Sequence, residues 1–544
     1  MPMPSDFEKG CRWTFGNPGK NTREEGPNNP SAENFKQEPY ASLVRESIQN
    51  SLDAVFRQNC PVYVSFEIGS IRPSAYPEFF KLQDEIQECI NYYNEKAEKV
   101  YGNALAFFKS FQNQKDKSLY FIKVSDSNTR GMEYKENDTS SKFYSFVRSV
   151  GVSNKENSSA GGSFGFGKDA YFNISPIRSI LVSTRTWTGK CVFEGVASLC
   201  THRGSDGTMK ASVGYYDNQK GFPVTEENKI PNKFLRKEDD GPGTDIYIMG
   251  IEFSDEHPAS DIAKEMEIAV LRNFWLAILR KKLEVSIRYT DQQQTTIDIT
   301  TENIRELIRN RFGENITDNK QGRGSDNYNP TPYLVAVTGS DEGRPDCHHF
   351  EDTLPLLGET HLYIYKHPEA KNRITYMRKP LMKVSANKFP DFNSGKFYGL
   401  FVCTDLKGNE KLRKMENPAH SEWDSKNWKG DDTIRTNPEA QNVEKEYKDF
   451  IRGCLEKAFQ SEYSDTMEIE GLEDFLYIPT ALENDIRQEC RHETEEKQAD
   501  TVEPKTQLAS ETPHISEPKP LSVGKVFVNQ PSKANYSDKG DLYS

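Results

Sequence analysis

Glu46, Asn50 and Asp53 sit at spacings that would line a carboxylate, an amide and a second carboxylate along one side of a helix. The stretch reads Leu43-Val44-Arg45-Glu46-Ser47-Ile48-Gln49-Asn50-Ser51-Leu52-Asp53-Ala54. At about 100° per residue these three polar groups fall within roughly 60° of one another. Val44, Ile48, Leu52 and Val55 fall on the opposite side. Such a helix buries an apolar stripe and turns its acids and amide toward whatever lies above. Many surface helices carry a polar face with no chemistry attached, so the spacing alone leaves both readings open.

Two further stretches bear on the choice. An apolar run, Leu119–Val124, ends in Ser125-Asp126-Ser127-Asn128-Thr129-Arg130-Gly131-Met132. An acid at a strand end before a glycine turn suits a polar contact at a pocket rim. Asp126 can accept a hydrogen bond from an exocyclic amine, the group that separates adenine from guanine at that edge. An ordinary turn is the plainer reading. The other stretch is Gly161-Gly162-Ser163-Phe164-Gly165-Phe166-Gly167-Lys168-Asp169. Glycines let backbone N–H groups approach phosphate oxygens, and a helix starting near Gly167 would add the positive end of its dipole. Gly162, Gly167 and Lys168 also match P-loop spacing. That reading fails: Asp169 stands where a P-loop needs Ser or Thr for Mg²⁺, and Ser153–Ala160 is polar rather than a buried strand.

The motifs come in a telling order. Glu-x-x-x-Asn-x-x-Asp-Ala spans Glu46 to Ala54, and Asp…Gly-Met spans Asp126 to Met132. Gly-x-x-Gly-x-Gly follows from Gly162 to Gly167, then Gly243-Thr244 before an apolar strand. Together, over about residues 40–250, they resemble the GHKL superfamily, the ATPase class of MutL, gyrase B and the large heat-shock chaperones. The resemblance implies an α+β chain whose first part is a Bergerat-type α/β sandwich, with ATP held between a helical layer and a mixed sheet under a mobile lid. It implies Glu46 as the general base on water, Asn50 as the Mg²⁺ ligand, and Asp126 on the adenine amine. Met132 closes that same motif, Gly162, Gly165 and Gly167 wrap the phosphates, and Thr244 supports the adenine end. Asp53 belongs to the set as the residue that orients the helix. Lys168 faces either phosphate or solvent. The second motif is one residue longer than the usual Asp-x-Gly-x-Gly, with Asn128 in place of its first glycine. Asn tolerates a left-handed backbone better than most residues, so the turn is expected to survive.

These residues need elements to hold them. A helix is expected from about Ser42 to Asn59. Alternating β-branched and aromatic residues predict strands at Val62–Ile68, Leu119–Val124, Ser179–Thr184, Cys191–Ala197 and Asp245–Met249. Residues 1–40, rich in Gly, Pro and Asn, read as an arm ordered only by docking, with Trp13 and Phe15 as anchors. Residues 41–253 form the first domain, with a helical insertion at about 77–112. Residues 254–480 open with a long helix, Ile262 to Lys282. Strands His361–Tyr365, Arg373–Met377 and Phe397–Cys403 and a helix near Ala440–Phe459 follow. From 487 to 544 the chain is polar and is expected to be disordered. Its apolar island, Val523–Val528, is either chance or a docking peptide.

ATPases of the MutL, gyrase B and chaperone kind follow the nucleotide domain with a transducer that lends a basic residue to the γ-phosphate. Residues 254–480 stand in that place. Within Arg373-Ile374-Thr375-Tyr376-Met377-Arg378-Lys379-Pro380 the sensing residue would be Lys379 or Arg378, unless this is a plain basic strand. The Leu412–Trp423 stretch reads as a structural or interface loop. The expected function is an ATP-driven switch that hydrolyses ATP slowly, closes as a homodimer and signals to a separate effector. A stand-alone ATPase of MutL- or MORC-like layout also resembles components of bacterial anti-phage systems. The alternative is a non-hydrolysing, nucleotide-dependent scaffold for protein partners or DNA. Glu46 weighs against it, because a pure binding module needs no base.

Composition sets outer bounds. The 544 residues suit two or three domains, and 35% hydrophobic content is low for a fully ordered chain. A formal charge of −13 argues against a generally basic nucleic-acid binder. No apolar run reaches the ~18–20 residues of a membrane span, and the start reads as no signal peptide. Nine scattered cysteines without a Cys-x-x-Cys pair point to the cytoplasm. Cys347-His348-His349 suggests no metal site, because adjacent side chains diverge and no partner ligands stand out, so packing is the reading.

Overall fold

The computed structural model describes residues 8–19, 23–26, 38–95, 118–149, 168–219, 221–253, 257–314, 328–389, 395–417, 421–428 and 437–460. Gly162, Gly165, Gly167, the 487–544 tail and its apolar island lie outside the described residues. The chain is an α+β protein built on a large mixed sheet and a smaller second sheet.

In chain order the first strands are Arg12–Phe15 (β1), Val62–Ile71 (β2), Leu119–Ser127 (β3), Ser179–Arg185 (β4) and Cys191–Ser198 (β5). A ribbon of His202–Arg203 (β6) and Met209–Lys210 (β7) follows, then Val213–Asp217 (β8), Gly243–Ile251 (β9), Leu283–Thr290 (β10) and Gln294–Ile299 (β11). The nine-stranded sheet runs β1-β8-β5-β4-β9-β3-β2-β10-β11. Its pairs are antiparallel except β10, which lies parallel to β2. Strands downstream of residue 254 therefore complete the sheet begun at β1.

Alternation decides which side chain meets which layer. Ile122, Val124, Ile180, Val182, Ile246 and Ile248 point to one face. There they meet Leu43, Val44, Ile48 and Leu52 of helix α1 (Pro39–Asp53). Phe121, Leu181, Tyr247 and Met249 point to the other face, against α2 (Pro77–Phe80) and α3 (Leu82–Glu95). The N-terminal arm docks there as a sheet edge. Trp13 packs on Phe79 and Tyr216 and donates its indole N–H to the Phe79 carbonyl at 2.8 Å.

Helix α1 stops at Asp53, short of the Asn59 that its pattern predicts. Val55 leaves to form a bridge with Thr129, while Arg130 N–H donates to the Ala54 carbonyl and Phe56 N–H to that of Asn128, both at 2.9 Å. Pairing to the strand end replaces the last helical turns.

Short helices α4 (Lys142–Arg148) and α5 (Asp169–Ile174) flank the glycine-rich stretch. Helix α6 (Ala259–Leu279) is apolar on nearly every side because it lies between layers. After α7 (Ile304–Phe312) and α8 (Thr331–Asp341) comes the second sheet. Its strands are Cys347–Leu354 (β12), Gly358–Lys366 (β13), Arg373–Arg378 (β14), Met382–Lys388 (β15) and Phe397–Cys403 (β16), in the order β12-β13-β16-β14-β15. Tyr363, Tyr365, Tyr398 and Leu400 join the core that α1 and α6 share. The opposite face packs on α9 (Leu406–Lys414) and α10 (Pro438–Gln460). Among the described residues no helix is long and apolar enough to cross a membrane.

Candidate functional site

Glu46 and Asn50 stand one turn apart on α1, and Asn50 Nδ2 donates to Glu46 Oε1 at 3.0 Å. Both keep part of their surface in solvent while the apolar stripe behind them is buried. Ser47, on the inner side of the same turn, donates to the Tyr171 hydroxyl at 3.2 Å. Tyr171 is buried on α5, directly after the glycine-rich stretch. Burial, and then the nearby Glu46 charge, push its phenol above the ordinary tyrosine value. Arg45 reaches the other way, to Asn273 Oδ1 of α6 at 2.6 Å.

One turn further along α1, Ser51 donates to Asp126 Oδ2 at 3.0 Å. The other carboxylate oxygen of Asp126 accepts from the Thr129 hydroxyl at 2.7 Å and the Thr244 backbone N–H at 2.8 Å. Desolvation raises the Asp126 pKa, against the pull of Arg236 and these hydrogen bonds. Thr184 lies behind, with its hydroxyl 3.0 Å from that of Thr244 and accepting the Met132 N–H at 2.9 Å. Asp126 and Met132 are thus brought together with Thr244, far away in sequence, beside the helix that carries Glu46 and Asn50.

The turn after Asp126 keeps the shape that the lengthened motif requires. Asn128 has φ of 61° and Gly131 has φ of 66°. The Asn128 amide holds the left-handed turn by donating to the carbonyls of Arg57, Cys60 and Pro61, each at 3.0 Å. A Cβ on Gly131 would lie 2.4 Å from the Arg185 carbonyl oxygen.

Arg236 supports this corner, and no motif announces it. Its guanidinium is buried and donates to the Asp126 carbonyl at 2.6 Å, Asp245 Oδ1 at 2.6 Å and the Gly241 carbonyl at 3.0 Å. Lys123 approaches the other oxygen of Asp245 at 3.1 Å. A Cβ on Gly243 would sit 2.2 Å from the Asp126 carbonyl oxygen and 2.5 Å from Arg236 Nη2, so glycine there makes room for the pair. The sequence signal was the Gly-Thr motif, which marks the space but not the arginine that fills it.

Lys168 precedes α5 half-buried, its pKa lowered by burial against the charge of Asp169. Of the two basic candidates in the second sheet, Arg378 is buried and pairs with Glu416 through Nε at 2.5 Å and Nη2 at 2.7 Å. Burial opposes its charge, yet Glu416 and, after it, Asp53 hold its pKa above the usual value. Asp53 likewise opposes the lowering that burial imposes on Arg413. The end of α1 therefore shares a field with arginines of the second sheet and of α9. Lys379 is exposed. The Leu412–Trp423 stretch gains a role, since it supplies Glu416, to which the Trp423 indole also donates at 3.1 Å.

Arg148, at the end of α4, donates through Nε to Glu194 of β5 at 2.9 Å. This bond ties the end of α4 to the large sheet. A separate cavity of about 410 Å³ lies between β14–β15 and α10, lined by Tyr376, Trp423, Tyr447, Lys388 and Arg452 among others. None of its lining residues belongs to α1 or the large sheet.

Neither a protein-family model nor a curated protein matches the sequence. Among solved structures, the ATPase and transducer domains of DNA topoisomerase II from Balamuthia mandrillaris match at 10% identity and a TM-score of 0.29, covering 62% of this chain and 58% of that one. The N-terminal domain of a DNA repair protein matches at 11% and 0.28, covering 69% and 85%. The B subunit of DNA gyrase from Myxococcus xanthus matches at 10% and 0.30, covering 78% and 95%.

Proposed function

We propose that this chain binds ATP with Mg²⁺ against α1, hydrolyses it slowly, and works as an ATP-dependent homodimeric switch that signals to a separate effector. The observation that carries the reading is the Ser51–Asp126–Thr244 cluster. It sets an acid suited to an adenine amine beside the helix that presents Glu46 and Asn50.

The donor sets fit both groups. An ionised carboxylate offers about four lone-pair positions, and three hydrogen bonds occupy those of Asp126, leaving one for an amine. Asn50 turns its NH₂ to Glu46, so its amide oxygen is the atom suited to a hard cation. Bound Mg²⁺ would neutralise phosphate charge as the γ-phosphate leaves. Glu46, whose Oε1 accepts from Asn50, is the carboxylate that would take a proton from the attacking water. Ser51 and Thr244 keep Asp126 in place, and Tyr171 couples α1 to the chain that follows the glycines. Lys379, exposed at the end of β14, is the residue proposed to reach the γ-phosphate when the switch closes. Placement in anti-phage defence rests on resemblance of layout alone.

The test is Mg²⁺-dependent ATP hydrolysis by wild type and Glu46→Ala, with nucleotide binding and oligomeric mass followed in parallel. Turnover that disappears in the variant while ATP still binds and dimers accumulate is the expected result. Binding without turnover in wild type would favour the scaffold, and absence of ATP binding would overturn the assignment.

A further inference from the structure

Where it emerges at the exposed edge strand, the Tyr363 face of the β12–β13 hairpin brings together three side chains with metal-ligating atoms. His349 Nε2 lies 3.2 Å from His361 Nδ1, and His361 Nδ1 lies 3.7 Å from Glu351 Oε2. The three ligand atoms all fall within 4.8 Å of one another. The register explains why: Glu351 pairs with His361 and His349 with Tyr363, so His349 and Glu351 share a face and His361 is their cross-strand neighbour. Adjacent residues diverge, as the sequence suggested for Cys347-His348-His349, but the partner ligands come from the next strand.

The rings are also held. His349 stacks on Tyr363 with centroids 4.2 Å apart and planes 3° from parallel. His361 Nε2 faces Glu359 Oε1 at 3.4 Å, a partner that would hold the ring proton on that side once Nδ1 binds a metal beside His349 and Glu351. A carboxylate behind a histidine, fixing its tautomer and orientation, is a usual companion of a ligating imidazole. Zn–N bonds of about 2.0–2.1 Å at tetrahedral angles put two ligand atoms about 3.3 Å apart, close to the spacing of the two nitrogens. By contrast, Glu85 and Glu88 already hold the Lys210 ammonium, 2.8 Å from both carboxylates, and His202 Nε2 lies 3.2 Å from Glu85 Oε2.

We propose that His349, Glu351 and His361 form a binding site for a divalent transition-metal cation, Zn²⁺ foremost, that clips edge strand β12 to β13. Two imidazoles and one carboxylate suit zinc, with water completing the shell at this solvent-facing position. The site lies on the second sheet and stands apart from the ATP reading.

The full chain, stripped with a chelator, would be titrated with Zn²⁺ in competition with a chromogenic chelator. One equivalent bound, a higher melting temperature with Zn²⁺, and a Co²⁺ absorption band of tetrahedral type are expected. His349→Ala and His361→Ala should each weaken binding tenfold or more. Glu351→Gln, at an exposed position that the fold does not depend on, should do the same. Failure to retain Zn²⁺, or binding that all three substitutions leave unchanged, would overturn the site.

Discussion

Ser51 donates to Asp126 across 3.0 Å, and this bond joins the helix that carries Glu46 to the strand end that carries the proposed adenine contact. Ser47, one turn earlier, meets Tyr171 at 3.2 Å. Two serines on the inner side of α1 thus register the helix against both the sheet and the chain that follows the glycine-rich stretch. Movement of the helix would be felt at both.

Asp126→Asn keeps the shape and removes a charged acceptor. Hydrogen bonds to charged groups contribute about 1.5–3 kcal/mol, so ATP affinity should fall roughly 10- to 100-fold, with preference for ATP over GTP reduced. Titration calorimetry with both nucleotides checks this. Unchanged affinity would remove Asp126 from base recognition.

Arg378 and Lys379 should separate cleanly. Arg378→Ala leaves the buried Glu416 carboxylate without a compensating cation, a loss of about 3–5 kcal/mol, and should lower the melting temperature by several degrees. Lys379→Ala, at an exposed position, should leave melting unchanged and lower the turnover number. A Lys379 variant with wild-type turnover would take that residue out of the γ-phosphate role.

Glu194 gives stability a pH dependence. Burial pushes its carboxyl up to about 7, against the pull of Arg148 and with help from Asp217. The folded state therefore holds this proton more tightly than the unfolded chain does. Its contribution is complete below about pH 4.5 and is lost as pH rises through about 7, with a slope of at most about 1.4 kcal/mol per pH unit. Melting curves from pH 5 to 8 should fall more steeply for wild type than for Glu194→Gln. Parallel curves would show that Glu194 does not titrate there.

Gly243→Ala would drive a methyl group into the Asp126 carbonyl and Arg236. The backbone cannot yield without loosening the Arg236–Asp245 pair. Both the melting temperature and ATP affinity should drop, measured on the same preparation. A variant with normal ATP affinity would detach this corner from the nucleotide site.

The α1 face and the strands with strong alternation were legible in the sequence, because local period fixes which side is buried. The Asn128 turn was legible for the same local reason. Other features arise from partners remote in sequence. Nothing near Arg236 foretells that it reaches Asp126, 110 positions away. The early end of α1 depends on Thr129 capturing Val55. His349 acquires His361 only once the hairpin register is set. Trp13 and Phe15 read as anchors, but that their segment pairs with Val213–Asp217 is a matter of tertiary geometry.

The parallel pairing of β10 with β2 bears on how the protein can be dissected in the laboratory. A truncation after residue 253 would strip the hairpin from Val62–Ile71 and leave a ten-residue strand with a bare hydrogen-bonding edge. Such an edge invites pairing with other copies. A recombinant N-terminal fragment should therefore clump on expression, whereas one extended through Ile299 carries its own protective border.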